Sequence, residues 1–222
     1  MKDMVSSWLK NIRKEGFPDE WESKNLLKKA GVAVPSGRRI MPDEPCLADE
    51  FSFPLVLKVC DPAILHKTEH GGVILNVTKE RFPAVKNELQ ERFPSSPLLA
   101  EAMCGITGSE FILGGLMDPV FGPAIMAGAG GILTELYEDA AFRLCPCTED
   151  EAVRMLRELR ISPVLEGYRG STLDLYSLAG IVSKVSNLIY AFDGRLNQID
   201  INPLVFSQGV WTALDCVLIL KQ

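Results

Sequence analysis

The sequence predicts an α+β protein of two subdomains, and three observations lead to this prediction. The 222 residues are 47% hydrophobic and 23% charged, as in ordered proteins that bury one large core or two smaller ones. The first half alternates strand patterns with helical patterns in the manner of a compact α+β unit. The second half changes to a long antiparallel pair, two helices and a terminal hairpin. The predicted division is therefore an N-terminal subdomain with a leading helix, 1–100, and a C-terminal subdomain, 101–222.

The elements of the first half follow from hydrophobic spacing and from helix-terminal signals. A helix is predicted over 17–30, because acids stand in its first turn, lysines in its last, and Gly31 follows as a stop. Residues 78–93 are also predicted to be helical, since three apolar residues recur there at spacings of three and four. A weak helix is placed around 45–50. Apolar runs predict the strands 32–36, 53–60, 73–77 and 97–103.

The second half contains a turn-rich segment, 118–122, between two apolar runs, which predicts an antiparallel pair. Thr148 precedes an acidic first turn and opens a predicted helix. Five apolar residues recur at helical spacing further along and predict a second amphipathic helix. The predicted elements are strands 109–117 and 123–129, helices 149–160 and 173–192, and strands 196–206 and 210–220.

Composition argues against several classes of protein. The net charge of −6 does not favour electrostatic binding to nucleic acid or to an anionic membrane. No apolar run approaches the ~20 residues of a spanning helix, and the first residues lack the apolar core of a signal peptide, so a cytoplasmic protein is expected. The six cysteines are scattered without a Cys-x-x-Cys pair, which favours reduced, buried thiols over zinc ligands.

An apolar strand that contains one lysine, Lys58, precedes a loop with both histidines of the chain, His66 and His70. A charged lysine in an apolar strand needs an anionic partner, and a phosphate is the natural candidate. A neutral imidazole at His66 can accept a phosphoryl group, and the amides of Gly71 and Gly72 can approach an anion closely. The alternative is that His66 is a structural residue of the loop. His70, beside the glycine pair, is interpreted as a turn residue.

The terminal hairpin predicts a metal site. If Gln208-Gly209 is a two-residue turn, Ser207 faces Val210, and the same register places Asn202 opposite Asp215 with both side chains on one face. Asp200 projects to that face as well. An amide oxygen and carboxylates suit Mg²⁺. The alternative is a strand that ends at Asn-Pro beside an ordinary exposed acid.

Two further carboxylates and a glycine-rich run are candidate nucleotide contacts. Glu101 ends one apolar strand and Glu110 begins the next, so they could hold a ribose or an adenine amino group, or simply face solvent. The run 128–131 lacks the last glycine of a dinucleotide-binding fingerprint, because Leu133 stands there, and it follows an antiparallel strand. A Rossmann site is therefore rejected, and no Walker A motif is present.

Taken together, these motifs resemble those of a known family. The Ile-Leu-His-Lys loop at 64–67 and the Ile-Asn-Pro-Leu strand at 201–204 are the most specific, and the matching segments are 56–73, 118–126, 130–135, 142–146 and 199–204. The pattern resembles the ATP-grasp β subunit of ADP-forming acetyl-CoA synthetase, an NDP-forming acyl-CoA ligase related to succinyl-CoA synthetase. The resemblance extends from about residue 20 to 218. It implies an ATP-grasp fold in which two α+β subdomains enclose a nucleotide site.

The resemblance implies roles for individual residues in binding ATP or ADP with Mg²⁺. His66 corresponds to a phosphohistidine that passes a phosphoryl group between a histidine of a CoA-binding α subunit and ADP. The implied nucleotide contacts are Lys58 for the phosphates, Glu101, Met103 and Cys104 for adenine and ribose, and Glu110; the implied Mg²⁺ ligands are Asn202 and Asp215. Relatives often carry Met-Phe-Gly-Leu-Gly-Gly at 126–131 and Asp at position 69, where this sequence has Met-Ala-Gly-Ala-Gly-Gly and Glu.

The CoA-binding and acyl-binding domains of the family are absent from this sequence, so we expect a free-standing subunit of a hetero-oligomer. The expected enzyme is an acid–thiol ligase, acetate–CoA ligase (ADP-forming), which requires the α subunit. One alternative is an ATP-grasp carboxylate–amine ligase that forms no phosphoenzyme. Another is a non-catalytic nucleotide-binding module that regulates a partner. The acyl substrate and the choice between ATP and GTP stay open.

Overall fold

The computed structural model describes residues 1–15, 17–42, 44–45, 48–64, 66–105, 107–131, 139–171 and 173–221. Contacts divide the chain into two compact units. The larger unit comprises Met1–Pro18, Glu22–Val34 and Gly105–Gln222, and the smaller unit comprises Asp19–Trp21 and Pro35–Cys104. Within the described residues, no helix combines the length and the apolar character needed to cross a membrane.

The described part of the smaller unit is a four-stranded antiparallel sheet with one helix, α3 (Phe82–Arg92), on one face. Buried Phe82, Val85 and Leu89 of α3 pack in one cluster with the apolar residues of the sheet, since their spacing places them on one side of the helix. In the order β1-β4-β2-β3, the strands are β1 (Gly37–Ile40), β4 (Leu98–Ala102), β2 (Leu55–Val59) and β3 (Val73–Val77).

The described part of the larger unit is built on an antiparallel sheet, in which β5 (Thr107–Asp118) lies between β8 (Leu196–Ser207) and β6 (Gly122–Ala129). Beyond these, β10 (Val217–Leu220) and β9 (Val210–Ala213) pair with β8, and β7 (Ala140–Leu144) pairs with β6. The helices over 149–157 and 175–191 supply many of the buried apolar residues of its core. The helices are α1 (Lys2–Glu15), α2 (Glu20–Lys29, of which Glu20 and Trp21 belong to the smaller unit), α4 (Glu149–Arg157), α5 (Ser162–Leu165) and α6 (Leu175–Ala191). The short 3₁₀ turns are Ala48–Glu50 in the smaller unit and Tyr168–Gly170 in the larger one.

The predicted N-terminal helix over 17–30 is α2, and it is preceded by α1, which was not predicted and belongs to the larger unit. Buried Val5, Trp8 and Ile12 of α1 join its hydrophobic core, and the rings of Trp8 and Phe192 meet edge to face at 6.1 Å. The two units thus differ from the predicted division, because α1 buries its apolar stripe in the core of the larger unit. As a domain boundary, the division into 1–100 and 101–222 stays a prediction.

Most predicted elements are present, and three differ. The predicted strand 32–36 is reduced to an isolated bridge between Ala33 and Thr212, and β1 begins only at Gly37. The predicted weak helix is a 3₁₀ turn, with residues 46–47 outside the described part. The predicted strand 210–220 is interrupted between β9 and β10. Opposite that interruption stands Pro203, which cannot donate a ladder hydrogen bond because it lacks an N–H.

We predict that Thr148→Ala lowers the free energy of unfolding by about 1 kcal/mol. The Thr148 side chain accepts a hydrogen bond from the amide of Glu151, and the Glu151 carboxylate accepts from the amide of Thr148, which together form a capping box on α4. Urea denaturation of both proteins measures the change. Thr148→Ser is the control, because its hydroxyl keeps the cap, and an equal loss in both variants would contradict this explanation.

Candidate functional site

Lys58 lies on the face of the smaller sheet that is opposite α3. Its neighbours Leu57 and Val59 are buried in the cluster with α3, so the alternation of side chains along β2 turns Lys58 to the other face. The register places Lys58 beside Leu99, and it places Val56 beside Glu101. Lys58 and Glu101 therefore project from the same face of the sheet.

Two buried carboxylates hold Lys58. Its Nζ lies 2.8 Å from Oε1 of Glu20 and 3.0 Å from Oε2 of Glu101. The other oxygen of Glu20, Oε2, binds Nζ of Lys67. Each of these four residues is at most 7% exposed, and we call them the buried charge cluster (Glu20, Lys58, Lys67 and Glu101). Two positive and two negative charges balance within it, as burial of ions requires.

The predicted phosphoryl acceptor, His66, is exposed. Its side chain is 72% accessible, and its Nδ1 lies 3.7 Å from Oε1 of Glu69. The residues after it form a tight turn, in which the amide of His70 donates to the carbonyl of His66 and the amide of Gly72 to that of Lys67. The turn thus presents the imidazole of His66 to solvent immediately beside a buried lysine.

The segment predicted to hold adenine and ribose follows β4. The amide of Ala102 donates to the carbonyl of Ser36 at 2.8 Å, and the amide of Met103 donates to that of Pro54 at 3.4 Å. Met103 and Cys104 are half-buried. Glu101 is buried and its carboxylate contacts Lys58, so the alternative that it simply faces solvent is wrong. The part played by this segment in nucleotide binding stays a prediction.

Glu110 lies on β5 in the larger unit, close to the glycine-rich run. The amide of Gly130 donates to the carbonyl of Glu110 at 2.7 Å, and a Cβ on Gly130 would stand 2.8 Å from the Glu110 carbonyl carbon. Glycine is required there by this close approach. The run begins with the last two residues of β6, which is antiparallel to β5, so the rejection of a Rossmann site agrees with the topology. Residues 132–138, which include Leu133, lie outside the described part.

The terminal hairpin has the predicted register at both ends. Ser207 pairs with Val210, and Asp200 pairs with Val217. Between them, the amide of Leu214 donates to the carbonyl of Pro203 at 2.9 Å, and Oδ1 of Asp215 accepts from the amide of Cys216 at 2.7 Å. Asn202 and Asp215 are therefore at the same level of the hairpin, although Asp215 stands in the break between β9 and β10.

The carboxylates of Asp200 and Asp215 interact. Asp200 is half-buried, and its burial, followed by repulsion from Asp215, raises the pKa of the Asp200 carboxyl. Ile199 and Ile201 are buried in the core, so the alternation along β8 places Asp200 and exposed Asn202 on the opposite face. Two like charges held together beside an amide oxygen fit a divalent cation.

The donor set fits Mg²⁺ that is shared with a phosphate. Among the described residues, no group of three or more histidine, cysteine, aspartate or glutamate side chains is placed to hold a metal ion. Mg²⁺ is typically bound through one or two carboxylates together with substrate phosphates and water. Asn202 and Asp215, with Asp200 beside them, would form such a partial site, and their role as ligands stays a prediction.

We predict that Asp200→Asn stabilises the metal-free protein at neutral pH. Because the folded-state pKa of Asp200 is raised, its contribution to stability is fully present below its unfolded pKa of about 4 and is lost as pH rises through the folded value. The Asn variant should therefore unfold at higher urea than the wild type at pH 7, and the difference should shrink towards pH 4. Asp193→Asn is the control, since that side chain is 72% exposed; a gap independent of pH would contradict the assignment.

The sequence analysis did not foresee the burial of three charged side chains near the candidate site residues: Glu20, Lys67 and Lys24. Lys24 is 2% exposed, and its Nζ donates to the carbonyl of Leu214 at 2.6 Å, next to Asp215. Its spacing of three from buried Leu27 was a usable signal for the apolar face of α2. No comparable signal existed for Glu20 and Lys67, whose pairing joins residues 47 positions apart.

The sequence is similar to ATP-grasp domains and to ADP-forming acetate–CoA ligases. The family described as an ATP-grasp domain matches residues 12–220. The β subunit of acetate–CoA ligase (ADP-forming) I from Pyrococcus furiosus is 33% identical over 211 residues, which cover 90% of either chain. Acetate–CoA ligase (ADP-forming) I of Archaeoglobus fulgidus is 33% identical over 232 residues, and the match covers all of this chain but 33% of that longer protein.

A solved structure is similar along almost the full length. Acetyl-coenzyme A synthetase 1 of Ca. Korarchaeum cryptofilum has 28% sequence identity and a TM-score of 0.79, with 97% of this chain and 99% of that chain covered. That structure holds coenzyme A and Mg-AMPPCP, and its phosphohistidine segment points towards the nucleotide binding site.

Proposed function

Since the chain belongs to the ATP-grasp family of ADP-forming acetate–CoA ligase β subunits, we propose that it binds ATP or ADP with Mg²⁺ and relays a phosphoryl group through His66. The relay runs to or from a CoA-binding α subunit, which completes the acid–thiol ligase. A cytoplasmic location stays a prediction.

One observation carries this proposal: the imidazole of His66 is exposed while the residue beside it is buried and paired. A structural histidine would be expected to pack or to bond within the fold. An exposed imidazole on a turn closed by backbone hydrogen bonds is instead accessible for attack on a phosphorus atom. Lys58, which begins the same stretch of chain, is proposed to contact the nucleotide phosphates.

The other proposed contacts bind different parts of the nucleotide. Glu101, Met103 and Cys104 are proposed to hold adenine and ribose, and Glu110 to face the nucleotide. Mg²⁺, when bound with the nucleotide at Asn202 and Asp215, would neutralise phosphate charge that builds up during transfer.

In the proposed transfer, a neutral ring nitrogen of His66 attacks the γ-phosphorus of ATP. A nitrogen–phosphorus bond forms as the bond between that phosphorus and the bridging oxygen of ADP breaks, and ADP leaves with the electron pair. The phosphoryl group then passes from His66 to a histidine of the partner, and His66 returns to its neutral form. Each transfer requires its reacting atoms to come within ~3–3.5 Å, so two separated sites need a carrier.

The partner is proposed from the relatives. The β-subunit name of the P. furiosus protein implies a second subunit, and the A. fulgidus ligase holds a matching region within a chain about three times as long. The test is reconstitution with a candidate CoA-binding subunit, acetate, CoA and Mg-ATP. Acetyl-CoA and ADP should form together. An amide product with an amine co-substrate, formed without a phosphoenzyme, would support the carboxylate–amine ligase instead.

A further inference from the structure

Lys67 follows the proposed phosphoryl acceptor directly, yet the two side chains have opposite environments. Lys67 is 6% exposed, whereas His66, Thr68, Glu69 and His70 are all exposed. A lysine so close to a phosphorylated histidine would be expected to reach the phosphate from solvent. Here its ammonium turns inwards to the carboxylate of Glu20.

The ion pair with Glu20 stabilises the burial of Lys67. A buried ammonium is costly unless it is paired, so this contact helps to hold the side chain inside. The two oxygens of Glu20 are divided between Lys58 and Lys67. One carboxylate therefore joins the strand of the proposed phosphate-binding lysine to the loop of the proposed phosphoryl acceptor.

Backbone hydrogen bonds also hold the loop at Lys67. The carbonyl of Lys67 accepts from the amide of Gly72 at 2.7 Å, and the carbonyl of Gly72 accepts from the amide of Val59 at 2.8 Å. A Cβ on Gly72 would stand 3.1 Å from the Lys67 carbonyl oxygen and 3.3 Å from Cγ2 of Val59. This glycine permits the close approach, and the turn is closed on Lys67 and on the end of β2.

We propose that Lys67 is a positioning residue, whose ion pair with Glu20 fixes the turn 66–72 so that His66 is presented to the nucleotide phosphate in one place. This inference rests on the proposed function, because it assigns a role in the same transfer. Lys67 does not touch the reacting atoms. It acts through the backbone of its neighbour, and misplacement of a reacting group by about 1 Å can slow a transfer on the order of 100-fold.

The test uses variants of the full chain. Lys67→Met removes the charge and keeps the length, Lys67→Arg restores the charge, and Lys79→Met is the matched control, since Lys79 is an exposed lysine paired with exposed Asp49. Three quantities are measured: the Kd for Mg-ATP, the single-turnover rate of His66 phosphorylation from γ-labelled ATP, and hydrogen exchange of the Gly72 amide. Lys67→Gln replaces the Met variant if that variant does not fold.

We expect Lys67→Met to slow phosphorylation on the order of 100-fold with a Kd for Mg-ATP within about twofold of wild type, and to speed exchange at Gly72. Lys67→Arg should recover most of the rate, and Lys79→Met should match the wild type. Phosphorylation of folded Lys67→Met at the wild-type rate would overturn the inference, as would equal losses in rate and affinity. If the wild type itself takes no label, the proposed relay fails, and exchange at Gly72 alone decides whether Lys67 fixes the turn.

Discussion

Replacement of His66 by Asn should reduce acyl-CoA synthesis by the reconstituted enzyme about a thousandfold or more, because the group that accepts the phosphoryl is lost. Asn keeps a polar side chain of similar reach but has no nucleophilic ring nitrogen. The site is exposed, so the fold and the affinity for Mg-ATP should be unchanged. Initial rates with the partner, acetate, CoA and Mg-ATP measure the loss, and calorimetry measures the affinity.

His70→Asn is the matched control for this experiment. His70 is also exposed and lies four residues further along the same turn, where its amide donates to the carbonyl of His66. Because that bond uses the backbone alone, the variant should retain the turn and nearly full activity. A large loss in His70→Asn with a small loss in His66→Asn would reverse the assignment of the two histidines.

Asp215→Asn should weaken Mg²⁺-dependent nucleotide binding and lower turnover on the order of 100-fold, since one of the proposed charged ligands is removed. The amide oxygen of Asn can still accept from the Cys216 amide, as Oδ1 of Asp215 does, so the break between β9 and β10 should persist. The loss should be recovered in part by raising the Mg²⁺ concentration. Titration of ADP binding against Mg²⁺ gives the measurement.

Asp193→Asn provides the comparison, because this exposed acid lies beyond the end of α6 and its carboxylate pairs with exposed Lys2. It should bind Mg-ADP as the wild type does. Unchanged Mg²⁺ dependence in Asp215→Asn would remove Asp215 from the metal site and leave Asp200 and Asn202 as the residues to test.

The elements with strong local signals were predictable from the sequence. The helix after Thr148 and the register of the terminal hairpin were both correct, because a capping box and a two-residue turn are local patterns. The interruption at Asp215 was not foreseen, although Pro203 on the partner strand was a warning. The ATP-grasp fold itself came from motif resemblance, and the family match confirms it.

The candidate site was predictable only in part. A lone lysine in an apolar strand correctly indicated an anionic partner for Lys58, yet the partners within the protein are Glu20 and Glu101. A phosphate was expected there, and its binding stays a prediction. The pairing of Glu20 with Lys67 depends on tertiary structure, and no spacing in the sequence encodes it. The raised pKa of Asp200 likewise follows from burial and from Asp215, which only the fold brings near.

The most direct test of the relay is to locate the phosphoryl group itself. The protein is incubated with γ-phosphate-labelled ATP and Mg²⁺, quenched, and digested, and the labelled peptide is sequenced. The label should be acid-labile and base-stable, should map to His66, and should move to the partner when the α subunit is added. Acyl-CoA synthesis at full rate without any label on the His66 peptide would contradict the relay.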